Sequence, residues 1–261
     1  MPDKPGFFLP YRYADQVSPR PSPAWLSNTL DAAGETMQRW LGSARELSPR
    51  LSDFAQQTPG APHRPRFDQD WFTGLDATMA YTLTRTLAPP QIVEIGSGHS
   101  TRFIAQAIED GGHRSSLHSI DPEPRKDIDL LCDKVTRQPL GALTAEAFPT
   151  LGNKDMLFVD GSHLVMPGTD VEQVFTEIVP KLLPGTVVHI HDIFLPDPYP
   201  DEWSWRGYNE QSLVLALLGT GRFELLMANA WITRHRASWL HDVFCPLGGG
   251  FASSLWIRVR N

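Results

Sequence analysis

The chain has 261 residues, of which 41% are hydrophobic and 20% charged, with a formal net charge of -7. This is the composition of a globular protein with a core of ordinary size, long enough for one α/β domain plus an N-terminal addition. An acidic chain without a Lys or Arg run repels a phosphate backbone, so nucleic acid is not expected as a partner. No run of about 18 apolar residues occurs, so no membrane span is expected, and the proline-broken start MPDKPGFFLP does not read as a signal peptide. Cys132 and Cys245 lack metal-ligand spacing and are too few for a disulfide framework, which points to reduced thiols in a cytoplasmic protein.

Residues 1–65, rich in Pro, Ser and Arg, are expected to form an N-terminal arm with helices, and residues 66–261 the main domain. In the arm, Leu30, Met37, Trp40 and Leu41 share a face of a predicted helix over Ser27–Leu47. Such an arm offers a surface for a homodimer. A second helix is predicted from Asp68 to Leu87, where Trp71, Phe72, Leu75, Met79 and Leu83 recur at spacings of three and four before Pro89-Pro90 stops it. Strands and helices then alternate. Strands are predicted at Gln91–Ile95, Ser116–Ile120, Lys134–Gln138, Met156–Val159 and Thr186–Ile190, with helices at His99–Ile108, Pro124–Cys132 and Val171–Leu182. A helix from Tyr208 to Leu218 and strands at Phe223–Met227 and Ser254–Val259 complete the series. Short apolar strands alternating with helices mean βα units on a parallel sheet covered on both faces.

The most informative stretch is Ile92-Val93-Glu94-Ile95-Gly96-Ser97-Gly98-His99-Ser100-Thr101. A buried strand ends, glycines two apart make a tight turn, and a helix begins. Gly96 allows an unusual backbone angle, Gly98 lets a ligand approach the main chain, and the helix N-terminus offers free N–H groups. Ser97, Ser100 and Thr101 join them as candidate cofactor contacts. Thr101 stands where a dinucleotide fingerprint wants a third glycine, which argues against NAD. Glu94 on the strand suits a cationic ligand bearing an amine and a sulfonium. Asp121, just past the next strand, is placed to accept hydrogen bonds from two ribose hydroxyls.

The motifs Glu94-Ile-Gly-Ser-Gly-His-Ser, Ile120-Asp121, Phe158-Val-Asp-Gly-Ser-His163 and His191-Asp192-Ile-Phe, taken together, resemble those of class I methyltransferases. The pattern is similar to methyltransferase family 24 and to bacterial small-molecule O-methyltransferases, over roughly Asp68 to Val259. The resemblance implies a Rossmann-like α/β fold with a seven-stranded, mostly parallel sheet, an antiparallel last strand and flanking helices. It also implies S-adenosylmethionine as cofactor, with Gly96 and Gly98 at its methionine part and Asp121 at its ribose.

In an open parallel sheet, ligands sit beyond the carboxyl ends of the strands. Asp160, Ser162 and His163 after one strand and His191 and Asp192 after the next are therefore expected in the same cleft, with Asp160 also near the cofactor. Two uses are open. Asp160, His191 and Asp192 can hold a divalent cation that activates a substrate hydroxyl, as related enzymes with acids at such positions bind magnesium. Here His191 and Ile193 flank Asp192 where the magnesium pattern has an acid or amide, which leaves manganese, iron or zinc open as well. Alternatively His163 or His191 acts as a metal-free base. His189 is expected to be a buried, hydrogen-bonded histidine, and His99 a helix-start residue lining the cofactor.

The proline-rich segment Phe194–Gln211 reads as a lid or substrate wall, in which Trp203, Trp205, Arg206, Tyr208 and Asn209 grip a polar, partly planar small molecule. Arg206 can pair with a carboxylate or phosphate. The leading expectation is O-methylation of a small-molecule hydroxyl. The alternatives are a metal-dependent enzyme of another kind on the same fold and a non-catalytic scaffold.

Overall fold

The computed structural model describes residues 12–13, 16, 20–56, 63–125, 127–144, 147–246 and 251–260. Seven strands form one sheet: β1 Gln91–Ile95, β2 Ser116–Ile120, β3 Lys134–Thr136, β4 Met156–Val159, β5 Val187–Ile190, β6 Phe223–Ala228 and β7 Leu255–Val259. Their order is β3-β2-β1-β4-β5-β7-β6. β7 enters antiparallel between β5 and β6, and the other six strands run one way. This is the Rossmann-like arrangement expected. The apolar runs of β4 and β5 are buried throughout, as strands covered on both faces should be. The chain builds outward from β1 through β2 to β3, then returns to the other side of β1 with β4. Connections therefore diverge beyond the ends of β1 and β4, and a crevice opens there.

Among the described residues, eight α-helices flank the sheet: α1 Ala24–Ala32, α2 Gly34–Glu46, α3 Ser48–Ala55, α4 Gly74–Leu87, α5 His99–Gly111, α6 Asp170–Gln173, α7 Gln211–Gly219 and α8 Asn229–His235. α4 packs against both α5 and α2. Leu30, Met37, Leu41 and Phe54 of the first three helices are fully buried in the same apolar cluster as Val93 and Trp256 of the sheet. Phe54 meets Tyr81 of α4 edge to face at 5.2 Å, which fixes the packing angle of these rings.

Several elements differ from the sequence expectation. The helix over Ser27–Leu47 is two helices that meet at Ala33, and α3 and α8 are additional. The second predicted helix starts at Gly74 rather than Asp68, and Trp71 is 58% exposed instead of facing the core. The described residues of 124–132 form turns, not a helix. Ile128 is the one buried side chain among them, too little apolar surface to hold a helix against the sheet. The predicted helix Val171–Leu182 is α6 followed by a π turn at Val174–Ile178 and a 3-10 turn at Val179–Lys181. Pro180 has no N–H to continue an α-helical ladder.

Candidate functional site

At the carboxyl ends of the strands lies a cavity of about 660 Å³, within the usual range for small-molecule sites. One half of it is built by the β1–α5 turn and the end of β2. Gly96 has φ 77°, and a Cβ on it would stand 1.9 Å from the carbonyl oxygen of Asp160. Gly96 is thus required because the turn presses on the end of β4. A Cβ on Gly98 would meet nothing within 4 Å, because it would point into open space. Asp121 holds the turn in place: its Oδ2 accepts from the Ser97 N–H at 2.8 Å and hydroxyl at 2.7 Å, and its Oδ1 from the Glu123 N–H at 2.8 Å. Gly96, Ser97, Gly98, His99, Ser100 and Asp121 all line the cavity.

Glu94 and Thr101 do not. Glu94 lies fully buried behind the turn, accepting from the Ser100 hydroxyl and the Thr101 hydroxyl, each at 2.7 Å. Thr101 in turn accepts from the Gly98 N–H at 3.0 Å. These bonds tie the first turn of α5 to β1. Burial pushes the Glu94 carboxyl up to about 8, although both hydroxyls pull the other way. Glu94, expected in direct contact with a cationic ligand, stands instead behind the turn that lines the cavity and supports it.

The other half of the cavity holds Asp160, His163, His191 and Asp192. His191 Nδ1 lies 3.2 Å from Asp160 and 3.4 Å from Asp192, while His163 Nε2 lies 3.4 Å from Asp160 and 3.5 Å from Asp192. The far nitrogen of each ring meets a further buried carboxylate: His163 Nδ1 pairs with Glu210, and His191 Nε2 with Asp76 at 3.3 Å. Asp76 is anchored by the N–H groups of Ser253 and Ser254 at 2.8 and 2.9 Å and by the Asn229 amide at 2.7 Å. His163 and Asp192 both have positive φ, 60° and 56°, a backbone cost of about 1–3 kcal/mol each that tends to gather at working sites. Burial works against charge on both imidazoles, but Glu210, Asp160 and Asp192 outweigh it at His163, and Asp192, Asp160 and Asp76 at His191. Both rings are therefore held well above the ordinary histidine value. Burial likewise opposes the charge of Asp160, yet His191 and His163 draw it well below the usual carboxylate range.

Asp160, His191 and Asp192 thus come together, but as an ion-paired cluster with His163. Among the described residues no group of three or more His, Cys, Asp or Glu is arranged to hold a metal ion. Of the three residues expected to hold a divalent cation, Asp160 and Asp192 are here engaged with the two imidazoles, one of them that of His191. His189 is fully buried, bonded through Nε2 to the Ser254 hydroxyl at 2.8 Å and stacked on Phe158 at 3.7 Å; burial holds it neutral.

Of the loop residues, Trp203, Arg206 and Tyr208 line the cavity. Trp205 is 79% exposed and lies outside it, and Asn209 accepts from the Val165 N–H at 2.7 Å, pinning the loop. These two are corrected from substrate contacts to outer-loop residues. Sequence reasoning missed Asp76 and Glu210. Their signal is an acid in the first turn of α4 followed by eight uncharged, buried residues, and an acid heading α7, positions where a buried carboxylate must have a partner.

Residues 93–193 match the family model described as "Methyltransferase domain". This segment is a methyltransferase domain of the family whose motifs the sequence resembles. The matched span contains the glycine turn, Asp121 and the four-residue cluster, while the aromatic loop, Asp76 and Glu210 fall outside it. Among solved structures, the chain is similar to the SAH-bound Podospora anserina methyltransferase PaMTH1, at 16% identity and TM-score 0.45 over 98% of this chain and 100% of that one. It is also similar to the branched-chain polyamine synthase from Thermus thermophilus (13% identity, TM-score 0.46, 82% of this chain and 64% of that one). A third is cofactor-bound Rv0187 from MTB (13%, TM-score 0.44, 94% and 100%). No curated protein matches the chain. Among the described residues no helix is long and apolar enough to cross a membrane.

Proposed function

We propose that this methyltransferase domain uses S-adenosylmethionine and methylates a hydroxyl oxygen of a small molecule. The observation that carries the reading is that one continuous cavity joins the glycine turn and Asp121 to the Asp160–His163–His191–Asp192 cluster. The chemistry fits the cofactor. Gly98 leaves room beside the main chain, the first N–H groups of α5 suit its carboxylate, and Asp121 has lone pairs left for ribose hydroxyls. When bound, the cofactor supplies an electrophilic methyl group on sulfur.

The chain's own residues do the rest. Trp203 and Tyr208 wall the acceptor end and hold the small molecule against the cluster. The acceptor hydroxyl donates its hydrogen bond to His163, and Asp160, 3.4 Å from the same imidazole, stabilises the charge that ring acquires. His163 takes the hydroxyl proton as the acceptor oxygen would receive, in line, the methyl group that the bound cofactor would release from sulfur. Positioning accounts for much of the acceleration in such a displacement. His163 takes a proton only in its neutral form, and its carboxylate neighbours hold it charged beyond neutral pH, so the rate rises with pH on the alkaline side. Two free thiols accord with a cytoplasmic setting, which is part of the same proposal.

Calorimetry with S-adenosylhomocysteine tests the first half: sub-millimolar binding is expected, and none at that level defeats the reading. The initial-rate profile tests the second. A rate already maximal below pH 6 removes His163 as the base.

A further inference from the structure

The loop after β5 carries one uncompensated cation into the acceptor end of the cavity. Arg206 lines that end, and among the described residues it has no carboxylate within ion-pair distance. Aromatic rings hold it instead. Its guanidinium carbon lies 4.3 Å from the Trp203 ring centre, 5.2 Å from Trp205 and 5.4 Å from Tyr208, and its Nη1 donates to the Tyr208 hydroxyl at 3.0 Å. Its Nε is shut off from solvent and has no acceptor. Stacking keeps a guanidinium flat and in place without cancelling its charge.

Four of the acids in and behind the cavity already have partners. Asp160 and Asp192 face His163 and His191, Glu210 faces His163, and Asp170 accepts from the Ser162 N–H at 2.8 Å and from its hydroxyl. A partly desolvated cation without a counter-ion is costly, and an acidic group on the bound molecule offsets that cost through charge-assisted hydrogen bonds. Tyr208 sets the spacing: it carries Arg206 on its hydroxyl, and its ring stands 4.5 Å from that of His163.

We propose that the methyl acceptor is an anionic hydroxy compound whose carboxylate or phosphate is bound by Arg206, about one aromatic ring away from the oxygen that is methylated. This rests on the reading of the cavity as a joint cofactor and acceptor site.

The test is calorimetry on the full chain, with and without saturating S-adenosylhomocysteine. Hydroxybenzoates, hydroxyphenyl phosphates, gluconate and glucose 6-phosphate are titrated beside neutral counterparts, hydroxybenzyl alcohols and glucose. At least one acid should bind about tenfold or more tightly than its neutral counterpart, the scale of one charge-assisted contact, and the two acid arms separate carboxylate from phosphate. Arg206→Met should abolish that preference, Arg206→Lys should keep part of it, and both should bind S-adenosylhomocysteine like the wild type. Thermal melts of both variants confirm the fold. Neutral compounds binding as tightly, no acid binding at all, or an acid preference that survives in Arg206→Met overturns the proposal. Arg206-dependent acid binding without any S-adenosylhomocysteine binding upholds the anion site and overturns the cofactor reading instead.

Discussion

Asp121 does two jobs with one carboxylate under the proposed reading: it fastens the glycine turn through Ser97 and lines the cavity where we propose that a ribose binds. Asp121→Ala should weaken S-adenosylhomocysteine binding by about 1–3 kcal/mol through lost charged hydrogen bonds. Ser97→Ala, which removes one bond to the turn and leaves the carboxylate, should cost clearly less. Equal losses in the two variants would assign the whole effect to turn order. Glu94 makes a prediction about pH. Its carboxyl ionises near 8 in the fold against an ordinary glutamate value of 4.5. Between those values the folded chain keeps a proton that the unfolded chain has released, so this group lowers stability as pH rises from about 5 to 8. Glu94→Gln should therefore lose less Tm than the wild type between pH 5 and pH 8, and identical pH dependence of the two melts would refute it.

The elements that present the site explain what the sequence made legible. The turn from β1 into α5 is readable because its needs are local: an apolar strand, two glycines and a helix start within ten residues. Its energetic reason is not local, since Gly96 is dictated by the Asp160 carbonyl of another strand. Gly96→Ala should displace the turn from β4, with a loss of several kcal/mol typical of a forced clash at positive φ; near-wild-type melting and cofactor binding would show that the turn yields cheaply. Strands were legible wherever both faces are buried. The helix expected over 124–132 was not there to find, because one buried side chain cannot anchor it. The carboxylates that hold the two imidazoles were hidden for a different reason. Asp76 is 115 residues from His191 and Glu210 is 47 from His163, and no periodicity links positions that only tertiary folding brings together. In the aromatic loop, the density of rings marked a wall, but which rings face inward depends on the 3-10 turn Asp201–Arg206.

Across the whole molecule, the first three helices share the core of the sheet rather than resting on its surface. Leu41 sits on α2 with no exposure, in the cluster that includes β1 and β7 residues. Leu41→Ala should cost about 2–5 kcal/mol, the range for emptying a well-packed core position, and should lower Tm for the whole chain in a single transition. A separate early transition with the sheet still folded would show instead that these helices form an independent unit.

The placement of β7 has a consequence for how the protein comes into being. β6 touches the rest of the sheet only through β7, so it has no strand to pair with until residues 255–259 have left the ribosome. The same segment delivers the Ser253 and Ser254 N–H groups that seat Asp76 behind His191. A nascent chain can thus complete the glycine-turn half of its cleft well before the histidine cluster acquires its backing, so the two halves of the cavity mature in sequence rather than together.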